Sequence, residues 1–167
     1  MWLVMWRPSS GRRNLEYQSA VEEALCFGWV DSRGGAVDEQ RTKLYFAPRK
    51  PRSGWARPNK ERVERLIASG LMAPAGLAAV ERARANGSWT LLDSVERLEV
   101  PDDLRAALEG RPPARGHWGA FPRSARRAIL EWIALARTDE TRTRRVEATA
   151  AAAQRNECAN ERSPEKR

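Results

Sequence analysis

The sequence predicts an α+β fold: a mainly helical single domain over residues 1–153 with a small sheet of about three strands, then a disordered polar tail over 154–167. Apolar residues recur at helical spacing through most of the chain, beginning with Tyr17, Ala20, Val21, Ala24 and Leu25. Strand-like runs are confined to the first fifty residues. No internal repeat and no linker divides the sequence.

The elements follow in order. Trp2 to Arg7 reads as a strand, turned by Gly11. The helix on Tyr17–Leu25 keeps Glu22 and Glu23 on its wet side and ends at Gly28. Gly28–Asp31 and Thr42–Phe46 read as two short strands around a turn at Gly34-Gly35. Pro48 and Pro51 then hold the backbone extended. Asn59 is the expected N-cap of a helix to Ser69, with Val63, Leu66 and Ile67 inward and Gly70 at its end. Pro74 opens a helix to Asn86 with Leu77, Val80 and Ala83 inward. Trp89–Leu92 fits neither period. Pro101-Asp102-Asp103 is a helix start, because proline suits the first turn and carboxylates suit its positive dipole end. Arg111–Gly119 reads as a loop. Ile129, Trp132 and Ile133 mark a helix from Pro122, and Thr138 or Asp139 begins the last, to about Ala153.

The chain of 167 residues carries 30 Lys and Arg against 22 Asp and Glu, for a net +8. That balance favours anionic partners such as nucleic acid, phosphorylated ligands or a membrane surface. No stretch approaches the roughly 20 apolar residues a spanning helix needs, so no membrane insertion is expected. Trp2–Arg7 is too short for a secretory leader, and Cys26 and Cys158 suggest no disulfide framework. Both features lead to the expectation of a cytoplasmic protein.

Few side chains point to a reaction. His117 is the only histidine, and no cysteine pair has zinc-ligand spacing, so neither a metal nor a cofactor is expected. Asp102 and Asp103 could bind a cation, but dipole capping accounts for the pair. Cys26 could be a nucleophile only with a base such as His117 beside it; among Ala24, Leu25 and Phe27 it also fits a small buried hydrophobe. No phosphate-binding glycine loop is present.

The basic segment Arg41–Arg65 is the most informative stretch. It holds nine cations and two carboxylates, which is +7 of the net +8. Its centre, Phe46-Ala47-Pro48-Arg49-Lys50-Pro51-Arg52-Ser53-Gly54-Trp55, interleaves cations with prolines and aromatics. Arginine forms forked bonds to phosphate or carboxylate, and Trp55 could stack on a base or anchor the loop to the core. Arg142, Arg144 and Arg145 form a second cluster that also fits a solvated helix face.

Several ordered motifs resemble the YdeI/OmpD-associated, or bacteriocin-protection, family. They are Glu16 to Asp31; Phe46 to Pro51 with Ser53, Trp55 and Asn59; Arg62 to Ile67 through Gly70, Met72, Ala75-Gly76-Leu77, Gly87 and Trp89; Val100 to Leu104; and Glu140-Thr141-Arg142 with Arg144-Arg145. The resemblance runs to about Ala150, and it leads to the expectation that this chain lacks the family's N-terminal segment. It implies links to bacteriocin and antimicrobial-peptide resistance, and no reaction.

The expected function is therefore that of a bacterial binding protein linked to stress resistance. Arg49, Lys50, Arg52 and Ser53 would meet an anion, Trp29, Trp55 and Asn59 would frame the site, and Asp31 would orient Arg49. The alternatives are an enzyme with a pocket around Cys26, Asp31 and Ser53, or a nucleic-acid-binding protein. A protein partner also fits, and the oligomeric state stays open.

Overall fold

A computed structural model of the chain describes residues 1–12 and 15–160. They fall into two units, Met1–Thr90 and the chain from Leu91 onward, each with its own apolar core.

The sheet of the first unit follows from period-two patterning. Strands β1 (Trp2–Trp6), β2 (Trp29–Ala36) and β3 (Arg41–Pro48) pair antiparallel in the order β1-β3-β2. Trp2 lies opposite Tyr45, Val4 opposite Lys43 and Trp6 opposite Arg41, so these six share one face. Leu3, Leu44 and Phe46 take the other face and join the core. The Gly34-Gly35 pair expected at a turn lies inside β2, opposite Leu44 and Lys43. The hairpin instead closes at residues 37–40, where the Asp38 carboxylate accepts from the backbone N–H groups of Gln40 and Arg41. A register shift between Asp31 and Gly34 absorbs one extra residue on β2.

Helices α1 (Tyr17–Cys26), α2 (Arg57–Ala68) and α3 (Pro74–Ala85) cover the inner face. Val21, Leu25, Trp55, Val63, Leu66 and Val80 fill the space between them. Helix α2 begins two residues before Asn59, since Pro58 fits the first turn and its missing N–H costs nothing there. Ile67 and Leu77, expected inward, are exposed. The start of α3 presses on the end of α1: the Ala73 N–H donates to the Cys26 carbonyl, and a Cβ on Gly76 would stand 2.2 Å from that same oxygen. Gly28 leaves α1 at φ +73°, a conformation glycine adopts at little cost.

The second unit is helical: α4 (Asp93–Glu96), α5 (Asp102–Glu109), α6 (Ala114–Ala120), α7 (Arg123–Ala134) and α8 (Asp139–Gln154). Leu104, Leu108, Ile129, Leu130, Ile133 and Val146 form its core, and Ala150 and Ala153 let α8 approach closely. The stretch Arg111–Gly119, expected as a loop, contains α6, because Ala114 and Trp118 fall four residues apart and both bury. Thr138 caps α8 through the Thr141 N–H. Of the polar tail expected from residue 154, Cys158 and Ala159 pack against this core; residues 161–167 lie outside the described residues.

Candidate functional site

The loop between β3 and α2 is built around Arg49. Its backbone N–H donates to the Gly28 carbonyl, which fixes the loop where it leaves the sheet. Its guanidinium lies 3.8 Å from the centre of the Trp55 ring, and one nitrogen, Nη2, donates to the Gly54 carbonyl. Nε and Nη1 are shielded from solvent and bond to none of the described residues. Burial of the charge pushes the Arg49 pKa down to about 10, partly offset by the Asp31 carboxylate. A shielded cation with two unused donors is costly by itself and gains from any oxygen anion that reaches it.

The rest of the loop is held by short-range bonds. Both the Ser53 backbone N–H and its hydroxyl donate to the Lys50 carbonyl, closing a turn over Pro51-Arg52. The Pro51 carbonyl accepts from the Asn86 amide and the Ser88 hydroxyl, tying the turn to the end of α3. Trp55 is only 2% exposed and packs on Trp89 at 5.0 Å between ring centres. Lys50 and Arg52 project into solvent.

The predicted site residues therefore separate into roles. Arg49, Lys50 and Arg52 are together on one loop. Trp55 is the floor beneath Arg49, and burial removes it as a stacking platform for a base. The Ser53 hydroxyl shapes the turn. Asn59 accepts from Arg62, which also grips Gln18. Asp31 accepts the Tyr17 hydroxyl at 2.8 Å and reaches Arg49 through its charge, not through a hydrogen bond. Trp29 lines a different feature, an apolar pocket of about 600 Å³ with Leu3, Leu15, Ala24, Phe27 and Phe46. Asn86 and Ser88 escaped sequence reasoning, because nothing in a helix-terminal Asn-Gly-Ser shows which distant carbonyl it will hold.

The basic segment as a whole is less available than its composition implies. Arg41 pairs with Asp38, Arg57 with Glu61 and Arg65 with Glu22. Of the residues suggested for a reactive pocket, Cys26 packs in the apolar core, Asp31 accepts from Tyr17 and the Ser53 hydroxyl donates to the Lys50 carbonyl. Burial pushes the Cys26 thiol up, helped by Glu23 and Glu22, which disfavours the thiolate a nucleophile needs. The Cys26 side chain is part of the apolar core. His117 Nδ1 lies 2.8 Å from the Ala153 carbonyl, so that nitrogen carries the proton and donates it there.

In the second unit, Arg142 makes a two-pronged bond to Asp103 at 2.7 and 3.0 Å. Burial raises the Asp103 carboxyl, but the bonds from Arg142 and from the Leu104 N–H outweigh it and hold the pKa below the ordinary value. Arg145 donates to the Trp132 carbonyl and stacks on that ring. Arg142 and Arg145 of the second basic cluster thus join helices. A cleft of about 440 Å³ beside it is lined by Glu99, Asp102, Arg105 and Arg142. Among the described residues no three His, Cys, Asp or Glu side chains gather as a metal site, and no helix is long and apolar enough to cross a membrane.

Comparison with known proteins divides the chain much as its cores do. Residues 1–79 match a domain of unknown function, DUF8412. Residues 97–156 match the family described as bacteriocin-protection, YdeI or OmpD-associated. No curated protein and no solved structure gives a match. The motifs of the first half that resemble the bacteriocin-protection family thus lie mostly under a separate family, while those from Val100 onward lie within the family itself. The chain carries a YdeI/OmpD-associated, bacteriocin-protection family domain over residues 97–156, behind a domain of unknown function.

Proposed function

We propose that this protein binds an anion rather than catalysing a reaction, and that the loop from Pro48 to Trp55 is its recognition element. The observation that carries this reading is Arg49, a guanidinium stacked on a core tryptophan with two shielded and unused N–H groups. Arginine presents its donors as a planar fork, which suits a phosphate or carboxylate. Lys50 and Arg52, exposed on the same turn, supply the further charge such a ligand requires. Trp55, Asn86, Ser88 and Ser53 hold the turn in shape, so the entropy of ordering it falls on folding and not on binding.

The bacteriocin-protection family domain is the support for a role in resistance to stress or to antimicrobial peptides. Two unbridged cysteines fit a cytoplasmic setting. The test is calorimetric titration with inorganic phosphate, nucleotides and polyphosphate, repeated on Arg49→Ala/Lys50→Ala. Two charge-assisted contacts at about 1.5–3 kcal/mol each predict a loss of at least tenfold in affinity. Unchanged affinity in the double variant, or no heat from any anion in the panel, would remove the reading.

A further inference from the structure

The outer face of the sheet carries a second, separate arrangement. Trp2 and Tyr45 sit edge to face with ring centres 5.0 Å apart. The Arg33 guanidinium lies over both, at 5.3 Å from Trp2 and 5.2 Å from Tyr45, and the Lys43 ammonium is 4.9 Å from Trp2. Further along β1, Trp6 is flanked by Arg12 at 4.3 Å and Arg41 at 5.8 Å. Strand pairing dictates this grouping, because Trp2 faces Tyr45, Val4 faces Lys43 and Trp6 faces Arg41. Trp2 is 41% exposed and Val4 49% exposed. A carboxylate bonds only one of these four cations among the described residues, and that is Asp38 on Arg41.

We propose that this face binds single-stranded nucleic acid. A strand rise of ~3.3 Å per residue puts Trp2 and Trp6 about 13 Å apart, with Lys43 between them. The face therefore offers one exposed ring at Trp2 and a partly buried one at Trp6, with cations beside and between them. Bases stack on aromatic rings and on guanidinium planes regardless of sequence, while the cations meet the phosphates. Cation–aromatic contacts are weak at an exposed site, so Arg33 and Lys43 can turn from the rings to phosphates as bases take their place. The charge pattern disfavours a second copy of the same face, because like charges would oppose one another. A duplex hides the faces of its bases and would engage the cations alone. This site shares no residue with the Arg49 loop.

Fluorescence anisotropy of a labelled fifteen-nucleotide thymidine or uridine strand, with the full chain, tests the proposal. Single strands should bind, with log affinity falling linearly in log salt at about 0.7 per cation engaged. Arg33→Ala/Lys43→Ala should weaken binding and flatten that slope. Trp2→Ala should weaken binding about tenfold or more and leave the slope unchanged, as loss of stacking requires. The loss caused by Trp2→Ala should persist in the Arg49→Ala background, which separates this site from the anion loop. Circular dichroism confirms that each surface variant stays folded. The proposal fails if no single strand binds at low salt, or if a duplex of equal length binds as tightly and Trp2→Ala changes nothing. It also fails if Arg49→Ala alone abolishes binding.

Discussion

Arg111, Arg127 and Arg142 of the second unit and Arg33 and Arg49 of the first use the same side chain in opposite ways. In the second unit arginines clamp helices to carboxylates: Arg127 bonds Glu96 and Glu131 at 2.8 and 2.9 Å, Arg142 bonds Asp103, and Arg111 bonds Glu147. In the first unit Arg33 and Arg49 lie on aromatic rings and bond no carboxylate among the described residues. A clamped arginine has its charge matched within the protein. A ring-stacked one keeps its charge for something else, and Arg49 also keeps two donors. Net charge does not distinguish these cases; the partner of each guanidinium does.

The largest expected effect sharpens the view of Trp55 as a floor and not a ligand contact. Trp55→Ala removes a fully buried indole and should destabilise the protein by about 3–5 kcal/mol in chemical denaturation. Faster amide exchange in α1 to α3 would place that loss in the first unit. Next comes Gly76→Ala, whose new Cβ would collide with the backbone carbonyl of Cys26. It should cost roughly 3 kcal/mol, at the upper end for overpacking, read as a lower Tm. A wild-type Tm would show that α3 can slide off α1.

Smaller effects bear on the clamps. Asp103→Asn should cost about 1 kcal/mol or less, because both partners of the Arg142 pair are partly exposed. The folded-state pKa of Asp103 lies below the ordinary ~3.9. Its contribution is thus fully present above that unfolded value and is lost as pH falls through the folded one. Acid titration of stability below about pH 4 should therefore be shallower in Asp103→Asn than in the parent. The smallest effect is kinetic: Cys26 should resist alkylation in the native protein until unfolding exposes it.

Much of this fold is legible in the sequence because its elements are strongly periodic. Val63 with Leu66 and Ile129 with Ile133 announce their helices, and Pro101-Asp102-Asp103 announces α5. Helix α6 is hidden because Gly116 and Gly119 dilute a pattern carried by Ala114 and Trp118 alone. The hairpin turn is misplaced because Gly34-Gly35 has the look of a turn, whereas the Asp38 side chain makes the real one. At the site, the sequence identifies the cations but not their partners. Arg62 and Arg65 look identical to Arg49 in composition, yet Gln18 and Glu22, more than forty residues earlier, engage the first two. The aromatic–cation face needed the β1–β3 register, which joins residues 2–6 to 41–45 and has no local signature.

The distinction between clamped and ring-stacked arginines can be measured by replacing one of each with methionine, which keeps the apolar stem and removes the charge. Arg142→Met and Arg49→Met should be compared by urea denaturation of the full chain. Arg142→Met should be destabilised by about 1 kcal/mol, since Asp103 loses its partner. Arg49→Met should be as stable as the parent or more so, since a shielded cation with two unused donors gives way to a thioether on an indole face. Destabilisation of Arg49→Met equal to or larger than that of Arg142→Met would instead make Arg49 a structural residue.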